Sequence, residues 1–134
     1  MVIIMKLELR KNMYVRNCYG RIAKIEYIED NTAYCDNWLY QSYEDHITFI
    51  NLDDEDDIDE ILKTSYNIID ILEVGDYVNG SKVIEIEKDY KFIDGTIRDI
   101  LWTDTKMQRA IWDETIKSII TKEQMEKMTY KVGE

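Results

Sequence analysis

Apolar and polar positions along this chain alternate with a period near two more often than they follow the 3.6-residue period of a helix. The segments "MYVR", "RIAKIEYI", "TAYCDNW", "HITFI", "DYV", "KVIEIE" and "YKFI" all read this way, as half-buried strands do. "MKLEL", from Met5, reads as a complete first strand. No proline interrupts these runs, and glycines stand between them at Tyr19-Gly20, Val74 to Asp76, Asn79-Gly80 and Asp94-Gly95. Such positions are turn signals. Asn79-Gly80 is the strongest of them, because a type I′ hairpin turn needs two residues that tolerate positive φ.

The pattern repeats. "MYVRNCYGRIAKIE" (Met13 to Glu26) echoes "DYVNGSKVIEIE" (Asp76 to Glu87), and each copy follows a leader of the form LxxxxYV. Each gives an aromatic–Val strand, a glycine turn and an alternating strand ending Ile-Glu. The expected fold is α+β and mainly β: two small curled β-units of SH3-like character sharing one core, residues 1–64 and 65–134 of a single domain. One such hairpin alone would be marginally stable, so the two are expected to pack together.

Helix is a minority. Thr121 and Gln124 in "TKEQMEKM" form a capping-box pattern that opens a short helix ending near "TYKV". The segment "TDTKMQRAIWDETIKSII" is ambiguous: Ile111, Thr115 and Ile119 share a helical face, while "IKSII" also reads as a strand. A helix is assigned over Thr105 to Glu114.

Composition narrows the function. The chain has 134 residues, 45% of them hydrophobic, enough for a buried core, and a formal net charge of -11. Such a charge disfavours nucleic acid, whose phosphates need a positive face. It suits a basic partner or mimicry of a polyanion instead. No apolar run reaches membrane-spanning length, and the N-terminus lacks signal-peptide features. An intracellular location is expected. Cys18 and Cys35 show no metal spacing and read as reduced, buried thiols.

"DDEDDIDE", Asp53 to Glu60, holds seven acids in eight residues. It lacks the central glycine and the alternation of a calcium loop, so it reads as a solvated loop. His46 is the sole histidine, and no nucleophile elbow, phosphate-binding glycine loop or metal-ligand cluster is visible. Neither an enzyme nor a cofactor is expected.

Against this acidic background, Leu9 to Ile25 carries Arg10, Lys11, Arg16, Arg21 and Lys24, five of the 17 basic residues. In the plain reading they face acids across a sheet. In the functional reading Arg16, Arg21, Tyr14, Tyr19, Lys24 and Trp38 form a ligand pocket, with guanidinium forks on phosphates and aromatic faces on bases. Replacing either arginine is then expected to weaken binding while sparing stability.

"YVRNCYGRIAKI", "NIIDILEVGDYVNGSKVIEI" and "IKSIITKEQMEKMTYKV" resemble small, largely uncharacterised proteins of clostridial and related Gram-positive phages and prophages. The resemblance covers about two thirds of the chain, omits the acidic run, and brings a setting without assigned motif roles. That setting implies an accessory factor acting on host machinery, located in the host bacterial cytoplasm. Two functions are expected from setting and residues together. One is sequestration, without cleavage, of a host nucleotide immune signal such as an ADP-ribose or cyclic nucleotide. The alternative is acidic protein–protein inhibition of a basic host defence nuclease, in the manner of an anti-CRISPR protein or a DNA mimic. A homo-oligomer is expected in either case.

Overall fold

A computed structural model describes residues 8–36, 47–105 and 110–126. The first half forms β1 (Tyr14–Asn17), β2 (Ile22–Glu29), β3 (Thr32–Asp36), β4 (Phe49–Asn51) and β5 (Ile61–Ser65). These make one antiparallel sheet in the order β4-β3-β2-β1-β5. The second half forms β6 (Tyr77–Val78), β7 (Ser81–Lys91), β8 (Ile97–Thr103), β9 (Ala110–Ile111) and β10 (Ile119–Ile120). Their order is β10-β6-β7-β8-β9. The two orders are the same: fifth, first, second, third, fourth. A helical turn precedes the fifth strand in each, α1 (Glu55–Asp59) in the first unit and the 3₁₀ turn Asp113–Thr115 in the second. The mainly β expectation holds, and the sequence echo falls on the opening hairpin of both units.

Turn chemistry sets the registers. Asn79 and Gly80 take φ of 52° and 82°, and Val78 pairs with Ser81 across them, as the two-residue hairpin requires. An equivalent signal went unread: Asp30 and Asn31 both have positive φ and join β2 to β3. "KVIEIE" and "YKFI" belong to one long segment, since β7 runs to Lys91 with an irregularity near Asp89, whose φ is 57°.

The apolar faces build two clusters. Val15, Ala23, Ile25, Ala33 and Ile50 belong to the first unit's own core. The second cluster gathers Val78, Val83, Leu101 and Ile111 with the linker 3₁₀ turn Ile68–Ile71, and it also takes in Ile22 and the half-buried Tyr14 of the first unit. The expected single core is thus two clusters, one of them shared. Strand alternation explains the division, because Val15 faces one cluster while Tyr14 and Arg16 face the other way.

The C-terminal capping box is present in both directions. The Thr121 N–H donates to Gln124 Oε1 at 3.0 Å, and the Gln124 N–H donates to Thr121 Oγ1 at 3.3 Å. Residues 122–126 are helical. The helix assigned over Thr105 to Glu114 is corrected where it is described: Ala110–Ile111 is a strand paired with Leu101 and Trp102, followed by the 3₁₀ turn. Burying Ile111 against that sheet outweighs a weak helical pattern. Residues 106–109 of that assignment, most of "MKLEL", Trp38, His46 and the helix end near "TYKV" lie outside the described residues. Among the described residues no helix is long and apolar enough to cross a membrane.

Candidate functional site

The expected pocket begins with Arg16, and the structure turns that side chain inward. Arg16 is fully buried. Its Nη1 donates to Asp76 Oδ2 at 2.6 Å and its Nη2 to Asp76 Oδ1 at 3.0 Å, a two-bond fork on a carboxylate that is itself fully buried. Nη1 also donates to the Ile71 carbonyl, Nη2 to Glu123 Oε2 at 2.7 Å, and Nε lies 3.4 Å from Glu73 Oε2. The Asp76 carboxylate in turn accepts from the Glu73 and Lys122 backbone N–H groups. Burial alone lowers the Arg16 pKa, but the Asp76 bond and charge, with Glu123 and Glu73, hold it above the ordinary value.

This geometry joins β1 of the first unit to the turn before β6 and to the C-terminal helical residues of the second. Burying an ion pair is favourable only when hydrogen bonds satisfy its remaining lone pairs and protons. Asp76 meets that condition. Lys122 and Lys63 reach Glu73 at 2.6 and 3.4 Å, so three cations balance three carboxylates at the joint. Burial raises the Glu73 pKa, but Lys122, Arg16 and Lys63 outweigh this and hold its carboxyl below the usual range. The plain reading of the basic stretch fits Lys24, which stands opposite Asp36 across the sheet, but not Arg16, which meets its acids in a seam.

The remaining predicted residues stay apart from Arg16's buried fork. Tyr14 is half-buried beside the shared cluster, with the Lys24 ammonium 5.5 Å from its ring centre. Burial first, and the Asp113 charge second, push the Tyr14 hydroxyl up. Tyr19 is exposed, and the Arg21 guanidinium lies 5.3 Å from its ring centre. Arg21 also lines a pocket of about 250 Å³ with Asn17, Phe49, Asp57 and Glu60. Glu60 is the chief cause holding the Tyr19 hydroxyl above its ordinary value, outweighing Arg21. A phosphate would enter a negative field there.

A larger cleft, about 530 Å³, opens in the second unit between Asn67, Asp89, Arg98, Asp99 and Asp113. Lys88 bridges Asp70 and Asp99, the latter at 2.7 Å, and Arg98 lies 3.4 Å from Glu114. Arg98, the cation of its lining, thus stands beside a carboxylate, and its Asp99 is paired with Lys88. Compared with family models, curated proteins and solved structures, the chain matches none.

The thiols also differ from expectation. Cys18 is exposed, in the turn after β1, while Cys35 is half-buried. Burial pushes the Cys35 thiol up to about 12, the opposite of what a nucleophile needs.

The acidic run is a helix and not a plain loop. Asp54 caps α1 by accepting from the Asp56 N–H at 2.9 Å, and Glu55, Asp56 and Asp57 occupy the first turn, where the helix dipole favours negative charge. Asp57 accepts from the Asn51 N–H at 3.0 Å and so pins the helix to β4. The outer residues stay exposed.

Sequence reading missed Asp76, Glu73 and Glu123 as partners of Arg16. A signal existed in "LEVGDYV", where Asp76 replaces the apolar Met13 of the other copy. Also missed was a row of aromatics on the first sheet. Tyr27 pairs with Tyr34, and Tyr34 with Phe49, all exposed on one face. Tyr27 and Tyr34 stand at equal distance from Asp30-Asn31 in the sequence, which was the available clue.

Proposed function

We propose that this chain is a non-catalytic acidic binding protein, made of two SH3-like units, that covers a basic surface of another protein. The observation carrying the reading is the inward turn of Arg16: the fork expected to grip phosphate is occupied by Asp76, while α1 holds its carboxylates outward. SH3-like character is supported by the strand order, repeated in both units, with a helical turn before the fifth strand. In the phage setting that the sequence resemblance implies, the partner is a host defence nuclease, met in the bacterial cytoplasm. Blocking it needs long-range charge attraction and a contact surface, but no bond-making step.

The nucleotide-sequestering alternative retains Arg21, in a pocket shared with Asp57 and Glu60, with the Tyr19 ring beneath its guanidinium. We include a homo-oligomer in the proposal on the strength of β5, an edge strand that exposes Leu62. Light scattering showing a strict monomer at micromolar concentration would remove it. The function is tested by pairing two assays: inhibition of a panel of purified defence nucleases, and a thermal-shift panel of ADP-ribose and cyclic nucleotides. Salt-sensitive inhibition of a nuclease with no nucleotide response is expected. A selective rise in Tm with one nucleotide and no inhibition overturns the reading in favour of sequestration.

A further inference from the structure

Tyr27, Tyr34 and Phe49 form a single cross-strand row over β2, β3 and β4. The Tyr27 and Tyr34 rings stack with centres 4.6 Å apart and planes 16° apart. All three rings stay exposed, Phe49 at 57%. The opposite face of the same strands buries Ala33 and Ile50, so the row is not spare core. At the usual strand spacing it spans roughly 10 Å of flat aromatic surface.

The second unit treats its aromatics differently. Glu85, Trp102 and Ala110 are in register there, with one aromatic among them. That Trp102 is met edge-on by Tyr90 at 6.0 Å, Tyr90 meets Phe92, and Phe92 meets Trp112. Those rings satisfy one another, while the row of the first unit offers its surface outward.

The surroundings of that row are acidic. Glu29 pairs with Thr32 in the next row, Asp36 pairs with Lys24 in the row before, and Glu26 stands exposed at the irregularity between Ile25 and Tyr27. An aromatic surface can stack either nucleic-acid bases or guanidinium planes. Carboxylates beside the rings, on a chain of net charge -11, repel phosphate and attract arginine. The chain already packs Arg21 over Tyr19 in this manner. We infer that the Tyr27–Tyr34–Phe49 row is the docking site for an extended, arginine-bearing segment of a basic protein, its guanidinium planes lying on the rings and its N–H groups reaching the flanking carboxylates. This rests on the proposed function and supplies its contact surface.

The test is calorimetric titration of the full chain with a short peptide of alternating arginine and proline, and with its lysine counterpart of equal length and charge. Tyr34→Leu keeps an apolar side chain but removes the π-face, and melting curves verify its fold. Tyr66→Ala, at an exposed tyrosine outside the row, serves as control. Arginine is expected to bind at least about fivefold tighter than lysine, Tyr34→Leu to weaken the arginine peptide about tenfold, and Tyr66→Ala to leave it unchanged. Equal binding of both peptides, indifferent to Tyr34, overturns the docking site while leaving a general acidic binder standing. No binding of either peptide overturns both. A dimer in light scattering that Tyr34→Leu abolishes assigns the row to a second copy of the chain and likewise overturns the inference.

Discussion

The two units share one strand order yet spend their side chains differently. In the second unit the aromatics Tyr90, Phe92, Trp102 and Trp112 interlock edge to face, and Lys88 neutralises Asp70 and Asp99. In the first unit Tyr27, Tyr34 and Phe49 lie open, and α1 carries acids without a basic residue in its last turn. The same topology therefore gives one half whose aromatics contact one another and one half whose aromatic row lies open beside an acidic helix. Position in the fold does not cause the difference; side-chain chemistry does. The outward-facing unit is where the proposed partner would dock.

What holds the two units together is tested most severely at Asp76. Asp76→Ala would leave the Arg16 guanidinium buried without its chief counter-charge, at a cost of about 3–5 kcal/mol. The melting temperature is expected to fall by roughly ten degrees or more. Arg16→Lys with Asp76 retained should also destabilise, because a point charge cannot make the two-bond fork. Replacing both residues, Arg16→Met with Asp76→Leu, should recover much of the loss by removing both buried charges. A melting curve for Asp76→Ala within a degree or two of wild type would show that the seam does not join the units. The sequence-based expectation that Arg16 matters for binding and little for stability is reversed by this geometry.

The equivalent turns sharpen the comparison at the next level of effect. Gly20 and Gly80 close the opening hairpins of the two units, with φ of 77° and 82°. An alanine at Gly80 would meet nothing within 4 Å, so only the left-handed backbone penalty of about 1–2 kcal/mol applies. At Gly20 the added Cβ would lie 2.6 Å from Thr121 Oγ1 and 2.7 Å from Glu123 Cβ. Gly20→Ala should therefore cost about 1–3 kcal/mol more than Gly80→Ala. Chemical denaturation of the two variants measures the gap, and equal costs would mean that the C-terminal helical residues do not press on the first hairpin.

How much of this was legible beforehand follows from the range of each signal. The Asn79-Gly80 hairpin, the Thr121–Gln124 capping box and the repeated hairpin depend on neighbours a few residues apart, and sequence shows such neighbours directly. The repeat even pointed at the right strands. Arg16 failed because its partners lie 60 and 107 positions away, at Asp76 and Glu123. From sequence, an arginine in an alternating strand gives no sign of whether its face meets solvent or a second unit. The acidic run failed for a local reason: its self-repulsion was weighed, while the Asp54 cap and the dipole at the first turn were not.

Acid separates the halves more gently. Burial raises the Asp70 and Asp99 pKa values, but Lys88 and the accompanying hydrogen bonds outweigh this and hold both below their ordinary range. A carboxylate depressed in the folded state stabilises above its unfolded pKa and loses that contribution as pH falls through the folded value. Stability from this cluster should thus be complete at neutral pH and decline from about pH 5 downwards. Asp70 is partly exposed, so solvent screening limits each pair to about 1 kcal/mol or less. Denaturation of wild type and Lys88→Met at pH 7 and pH 4 tests this. The variant should lose less on acidification, and parallel losses in both proteins would place the acid sensitivity elsewhere.

The smallest stability effect is expected where the charge is densest. Converting Asp53, Asp54, Asp56 and Asp57 to Asn, with Glu55→Gln, removes five charges but keeps an oxygen acceptor at every position. Asn caps a helix about as well as Asp, so the bond from the Asp56 N–H to position 54 survives, as does that from the Asn51 N–H to position 57. Lost attraction to the helix dipole, about 0.3–1 kcal/mol per nearby charge, is offset by relief of repulsion between neighbouring acids. The melting temperature should move by only a few degrees. Inhibition of a basic partner should weaken sharply, with a shallower salt dependence, because the attraction it removes is long-ranged. Asp54→Ala alone makes the informative contrast: it should cost about 1 kcal/mol by stripping the cap, yet leave most of the charge in place and most of the binding intact. A neutralised run that melts as before and still inhibits fully would leave α1 as a structural link between β4 and β5 and confine partner recognition to the aromatic row.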